Sequence, residues 1–292
     1  MLRLLILTIL LAFLTSALAQ PETDIYLYRI VAAGDTSPGF SVESPRNITP
    51  RLGYDNQPFF TPDGRYLLFV SMDDHDQTDV YRYDLERGST ERITRTRNRS
   101  EYSPTVTPKG DGYSAVVVEE DGTQRLWFFE WGDEKGQVMM DEITDIGYHA
   151  WYHKKRMAMF LLGEPPTLRA THYRRQKPRV LTDSIGRCIQ SIPGEEQDIS
   201  FVDKSEEPWR IMRWEAKSKE ITEIAPCLPG SEDYAWYADW LWMGSGKQLF
   251  IRRTGADAEW QLVGEVEEGT ITRLSVSPNG DYLAVVVRRE DE

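Results

Sequence analysis

A sharp turn followed by an apolar strand recurs along this chain, and that recurrence constrains its fold more than any other feature. The first copy is NQPFFTPDGRYLLFVS, from Asn56 to Ser71. Pro62 presets φ, Asp63 supports a side-chain turn and Gly64 accepts positive φ. Tyr66 to Val70 then supplies the β-branched and aromatic residues of a buried strand. TVTPKGDGYSAVVV (Thr105 to Val118) and SVSPNGDYLAVVV (Ser275 to Val287) repeat the unit closely. WYHKKRMAMFL, SIPGEEQDISFV and LWMGSGKQLFI are degenerate copies, and the equivalent turn positions become Pro62, Pro108, His153, Gly194, Gly244 and Pro278.

Two further markers keep step with the turn. A β-branched residue or leucine followed by Thr recurs as Ile48-Thr49, Ile93-Thr94, Ile143-Thr144, Leu181-Thr182 and Ile221-Thr222. An alternating strand follows each turn: DVYRYDL at Asp79, RLWFFEW at Arg125, TLRATHY at Thr167, WRIMRWE at Trp209 and EWQLVGEV at Glu259. After Pro278 that strand is missing, and its counterpart DIYLYRI (Asp24 to Ile30) stands at the other end. A unit shared between the termini suits a closed ring, because it leaves no unpaired seam. An open solenoid would want atypical caps, and a β-sandwich does not explain the period. A repeat of about 40 to 50 residues is one propeller blade. The expected fold is all-β: a six-bladed β-propeller of four-stranded antiparallel blades, the last closed by strands from both termini.

The first 19 residues, MLRLLILTILLAFLTSALA, combine Arg3, a short apolar run and an Ala-Leu-Ala end. This is the pattern of a secretory signal peptide, too short in its apolar core to span a membrane comfortably. The expectation is cleavage after Ala19, one domain over residues 20–292, and a periplasmic or secreted protein without stable membrane insertion. The formal net charge is −13, one unit more negative once Arg3 leaves with the leader. Such a field repels polyanions, so nucleic acid is not an expected partner. The basic runs from Arg92 to Arg99 and His172 to Arg179 read as solvated strand ends.

The order of "IT", an SPDG-like turn, an apolar strand and a DIYLYDL-like strand resembles the TolB-type, WD-like propeller repeat over Asp24 to Glu292. The resemblance implies bacterial periplasmic proteins that bind partners, some of them in the cell envelope. It is specific for fold and weak for function. TolB proper carries an α/β domain before its propeller, whereas only Gln20 to Thr23 precede the first strand of the expected mature chain. The resemblance therefore does not carry over a Tol–Pal role. No G-x-S-x-G elbow is present for a propeller-linked hydrolase.

In such a ring the loops between each "IT" strand and the next turn are expected to carry the ligand. The longest contains LPGSEDYAWYADWLWM, where Trp240 and Trp242 align with Pro58 and Phe60 on the innermost strand. Tyr234, Trp236 and Tyr237 then fall in extra loop length, as an aromatic lip for a protein hot spot or a sugar ring. Asp55, Glu101, His149 and Asp233 are the acid–base groups on these loops. Of the four histidines only His149 lies there, too few for a histidine-rich metal site. DDHDQTD (Asp73 to Asp79) lacks the central Gly and terminal Glu of a calcium loop. No metal or cofactor is expected. Cys188 and Cys227 stand shortly after consecutive "IT" markers, and a disulfide between matching loops of adjacent blades is one reading. The leading functional expectation is a non-catalytic exported module that binds a protein partner, less readily a glycan, on one face. The rival is a propeller enzyme or binding protein acting on a carbohydrate or small molecule in the channel.

Overall fold

The computed structural model describes residues 20–32, 39–195, 197–255 and 257–290; the expected leader, residues 1–19, lies outside them. Every named element is a strand, and the strands form six four-stranded antiparallel sheets. Strands β1 (Thr23–Ala32) and β2 (Phe40–Asn47) come first. Blade 1 is β3 (Asp55–Phe60), β4 (Tyr66–Met72), β5 (Thr78–Asp84) and β6 (Ser89–Arg92). Blade 2 is β7 (Ser100–Val106), β8 (Gly112–Val118), β9 (Gln124–Glu130) and β10 (Gln137–Met140). Blade 3 is β11 (Ile146–His153), β12 (Arg156–Leu161), β13 (Thr167–His172) and β14 (Arg179–Asp183). Blade 4 is β15 (Ile185–Ser191), β16 (Ile199–Asp203), β17 (Arg210–Trp214) and β18 (Ile221–Pro226). Blade 5 is β19 (Tyr234–Tyr237), β20 (Trp240–Ser245), β21 (Gln248–Arg253) and β22 (Gln261–Glu265). Blade 6 orders β23 (Thr270–Val276) and β24 (Tyr282–Arg288) from one end of the chain with β1 and β2 from the other.

The period-2 alternation of each strand explains the ring. On β4, Leu67 and Phe69 pack with Ile25, Leu27, Ala284 and Val286 of blade 6. Leu68 and Val70, pointing the opposite way, pack with Val106, Tyr113, Ala115 and Val117 of blade 2. On β24, Leu283, Val285 and Val287 face blade 5, while Ala284 and Val286 face blade 1. A second strand buried on both faces reads as an unbroken apolar run. Each fully buried leucine such as Leu67 contributes about 2 kcal/mol relative to exposure. The six core clusters correspond to the six contacts between successive blades.

The three well-matched turns share one geometry. Gly64, Gly110 and Gly280 have φ of 67°, 72° and 75°. Their N–H groups donate to the carbonyls of Thr61, Thr107 and Ser277 at 2.8, 2.9 and 2.9 Å. Closure is continuous: β1 pairs with β24 from Thr23 opposite Arg288 to Arg29 opposite Tyr282. Arg289 then donates from Nε and Nη2 to the Asp24 carboxylate, each at 2.8 Å.

Blade 5 corrects the expected alignment by one strand. Tyr234–Tyr237 is the innermost strand, and Trp240 and Trp242 lie on the second. The Gly246 turn joins the second strand to the third, and EWQLVGEV contains the outermost strand β22. The first turn of this blade is Ala238-Asp239, with Ala238 rather than glycine at positive φ (50°). It therefore lacks the Pro/Gly punctuation that marks the first turns of blades 1, 2, 4 and 6, and the glycine-bearing turn one strand later mimics it.

Candidate binding channel

The inner strands β3, β7, β11, β15, β19 and β23 surround a central cavity of about 950 Å³. Its mouth lies among the turns that join first to second strands, where Pro62, Pro108, Lys109, Lys154, Pro193 and Pro278 form part of the wall. Gln57, Ser103, Tyr148, Arg187 and Arg273 from earlier on the inner strands, and Asp233 from just before β19, also reach it, so they lie deeper from that mouth. The loops expected to carry the ligand are at the opposite end of these strands. Their distance follows from strand polarity, since each inner strand begins at such a loop and ends at a mouth turn.

The deep part is an ion cluster. Arg187 meets one Asp233 carboxylate oxygen through Nε at 2.9 Å and also through Nη2. Its Nη2 additionally donates to the Thr272 carbonyl at 3.0 Å. Arg273 Nε lies 3.5 Å from the other Asp233 oxygen, and Arg273 Nη2 lies 3.5 Å from the Tyr148 hydroxyl. The Arg273 guanidinium stands 5.2 Å from the Tyr148 ring centre. Glu232 bonds Lys204 at 3.3 Å and lies 3.6 Å from Arg187. Burial opposes the Arg273 charge, but the Asp233 carboxylate, with Tyr148 and Tyr54, more than offsets it and holds the guanidinium above its ordinary range. Arg187 is raised in the same way, against burial and mainly by Asp233.

The aromatic residues expected on a loop are strand residues that close blade contacts. Tyr234 is fully buried, and its hydroxyl donates to Ser200 Oγ at 2.7 Å. Trp236 donates its indole N–H to the same oxygen at 2.9 Å. Tyr237 packs edge-on to Phe40 and covers the Gly280 turn, where an added Cβ would stand 2.1 Å from its ring. Trp236 and Tyr237 remain half-buried on the cavity wall. The same device recurs two blades earlier. Ser114 Oγ lies 2.7 Å from His149 Nε2, accepts from the Trp151 indole at 2.9 Å and donates to the Thr105 carbonyl at 3.2 Å. The shared pattern is HAWY (His149 to Tyr152) and YAWY (Tyr234 to Tyr237), each bonded to a serine on the second strand of the preceding blade.

His149 is neutral: burial pushes its pKa down to about 3. With Ser114 donating elsewhere, the network is satisfied when Nε2 carries the proton, which leaves Nδ1 as a bare buried acceptor. Asp55 does not line the cavity. It is fully buried beside Arg51 Nη2 at 3.0 Å, and burial pushes its carboxyl up against Ser71 and Arg51. Glu101 is also away from the channel, between blades 1 and 2, within 2.7 Å of Thr96 Oγ1 and 3.1 Å of Thr94 Oγ1. Burial, with Asp79 adding to it, raises Glu101 to about 8. Thr94 also accepts from the Val80 N–H at 2.8 Å, as Thr49 accepts from Ile25 at 2.8 Å. The "IT" threonine thus joins strands in its first two copies, whereas Thr144 and Thr222 are exposed.

Cys188 and Cys227 are free thiols, so the disulfide that was one reading of the sequence is not formed. Cys188 lies within β15 and Cys227 directly follows β18, so both belong to blade 4 and do not occupy matching loops. They share one apolar cluster facing blade 5, and burial pushes each thiol up to about 12. Such thiols are protonated and poorly nucleophilic. Among the described residues no group of three or more His, Cys, Asp or Glu is arranged to hold a metal, and no helix is long and apolar enough to cross a membrane.

Arg187 and Arg273 fall in loop segments that the sequence marks, but isolated arginines carry no periodic signal there. Their pairing with Asp233 depends on three different strand ends meeting at the axis.

No protein-family model and no curated protein sequence matches this chain. Solved structures do. A protein assigned as TolB from Agrobacterium tumefaciens aligns with TM-score 0.69 at 15% identity, covering 93% of this chain and 100% of that one. TolB from Acinetobacter baumannii aligns with TM-score 0.57 at 13% identity, over 93% of this chain and 65% of its own length. A chain of a nidogen/laminin complex aligns with TM-score 0.61 at 10% identity, over 92% of this chain and 100% of that one. The chain therefore has the TolB-like six-bladed propeller fold.

Proposed function

We propose that this chain is an exported, non-catalytic propeller that binds a protein partner at the channel mouth formed by the first turns. The observation that carries this reading is the 950 Å³ cavity, whose wall at the first turns includes prolines and half-buried aromatics. Concave, largely apolar openings with a few polar groups are where ligands bind. Of the four acid–base candidates, His149 and Asp233 line the cavity, and Asp233 is paired there with Arg187 and Arg273. Asp55 and Glu101 sit between blades, and His149 is neutral, with Nε2 engaged by Ser114. The structural neighbours add support at the level of fold, since one of them was solved within a nidogen/laminin complex. The signal-like leader supports export, and the TolB-like fold is compatible with a partner in the cell envelope.

A photo-crosslinking residue placed at Lys154, exposed on the mouth, tests the reading in native envelope extracts. The expected result is one discrete protein adduct, absent when the crosslinker is placed at Arg97 on the opposite face. Equal labelling from both positions, or none from Lys154, would overturn it.

A further inference from the structure

We infer that the channel contains a carboxylate-binding site, in which Arg273, oriented by Tyr148 and backed by Arg187, takes one carboxylate of the entering ligand. The inference deepens the reading above and rests on the same cavity being the occupied one.

The charge count around the site is uneven. Arg187, Arg273 and Lys204 contribute three positive charges against the two of Asp233 and Glu232. Arg187 commits Nε and Nη2 to Asp233, and Lys204 commits its ammonium to Glu232. Arg273 holds the surplus. Its Nε makes no hydrogen bond and meets Asp233 only as an ion pair at 3.5 Å, and its one hydrogen bond among the described residues is the long 3.5 Å contact to Tyr148. A guanidinium offers five N–H donors in a planar fork. The Arg273 side chain nevertheless keeps 14% exposure on the cavity wall.

Asp233 keeps Arg273 charged but is shared with Arg187, so the cluster as a whole retains one unmatched positive charge, and a ligand that supplies an anion there is favoured. One surplus positive charge matches a monoanion, whereas a phosphate dianion would overcompensate beside Asp233. A carboxylate also matches the fork geometrically. The guanidinium lies over the Tyr148 ring, and the half-buried Trp236 keeps the wall partly apolar. The carboxylate has two sources: a free organic or sugar acid, or an acidic side chain or C terminus inserted by a protein partner.

Thermal unfolding of the whole chain in sodium acetate and sodium succinate, against sodium chloride at equal pH and ionic strength, tests the site. The wild type should gain several degrees in the carboxylate salts beyond the shift of Arg273→Met, and Arg273→Lys should lie between them. An equal shift in wild type and Arg273→Met would be a general salt effect and would overturn the site. Should Arg273→Met fail to fold, the Arg273 Nε–H resonance of the wild type provides the second reading. It should move saturably with acetate and stay fixed with chloride; the reverse overturns the site.

The crosslink from Lys154 distinguishes the sources. A partner lost in folded Arg273→Met assigns the carboxylate to that protein, and a partner kept, with acetate stabilisation intact in the wild type, assigns it to a free acid. Carboxylate stabilisation without any adduct leaves the site standing while protein binding fails. An adduct that ignores both Arg273→Met and acetate leaves protein binding standing while the site fails.

Discussion

Arg289 grips Asp24 through two hydrogen bonds of 2.8 Å, across a chain separation of 265 residues. The same guanidinium reaches the Arg51 carbonyl at 2.7 Å, so one side chain ties the end of blade 6 to its third strand and to the entry of blade 1. Asp24 is buried, and removing its partner leaves an uncompensated carboxylate at the seam. Arg289→Ala should cost about 1–3 kcal/mol. Glu91→Ala, which breaks a pair whose acid is 63% exposed, should stay within about 0.5 kcal/mol of wild type. Urea midpoints of the two variants measure the contrast, and equal midpoints would contradict the role of the seam.

Ser114 and Ser200 should behave alike. Each hydroxyl accepts an indole N–H, from Trp151 and Trp236, at 2.9 Å. Ser114→Ala and Ser200→Ala each strand that donor and a second polar group, His149 or Tyr234, in a buried contact. Each should lose about 1–3 kcal/mol by chemical denaturation.

Glu101 makes stability depend on pH. Its folded pKa of about 8 lies above the ordinary 4.5. Below pH 4.5 both states are protonated and its contribution is complete. Between 4.5 and 8 the unfolded chain releases a proton that the folded chain keeps, so stability falls as pH rises. Glu101→Gln should therefore gain on the wild type between pH 5 and pH 9, seen as a widening difference in urea midpoint. His149 acts at the other end. Its folded pKa of about 3 lies below 6.5, so it subtracts stability as pH falls from 6.5 towards 3.

Gly64 and Gly280 occupy matching turns with φ of +67° and +75°, yet their surroundings differ. A Cβ on Gly64 would meet nothing nearer than 3.7 Å, whereas one on Gly280 would stand 2.1 Å from Tyr237. Gly64→Ala should cost about 1 kcal/mol from backbone strain alone. Gly280→Ala should cost about 1–3 kcal/mol and displace Tyr237, raising its fluorescence quenching by acrylamide.

The propeller is legible because turn chemistry and apolar alternation repeat in step. Pro62, Pro108 and Pro278 each introduce a strand whose two faces must both be buried, and only neighbouring blades on either side do that. Ring closure is legible for a related reason, since DIYLYRI is a third strand whose blade lies at the other terminus. Blade 5 misleads because Ala238 takes the positive φ that Gly64, Gly110 and Gly280 take in their turns, and Gly246 imitates the missing mark one strand on.

The site is less legible than the fold. Asp55 and Glu101 attract notice as acids on channel loops, but Arg51 and the threonines at 94 and 96 draw them between blades. Tyr234, Trp236 and Tyr237 stand out as a cluster, and their polar ends are already taken by Ser200 and the Gly280 turn. Arg187 and Arg273 are inconspicuous until β15, β19 and β23 bring them to one carboxylate. Short-range pattern reports packing; convergence at the axis is a property of the closed ring.

Binding at the turn-bearing mouth is tested most directly by amide hydrogen exchange on the protein alone and with its crosslink-identified partner. Added protection is expected along Trp151 to Lys154, Trp236 to Ala238 and Val276 to Pro278, with no change at Arg97 to Glu101. Protection confined to the loops around Arg97, with the mouth unchanged, would contradict it.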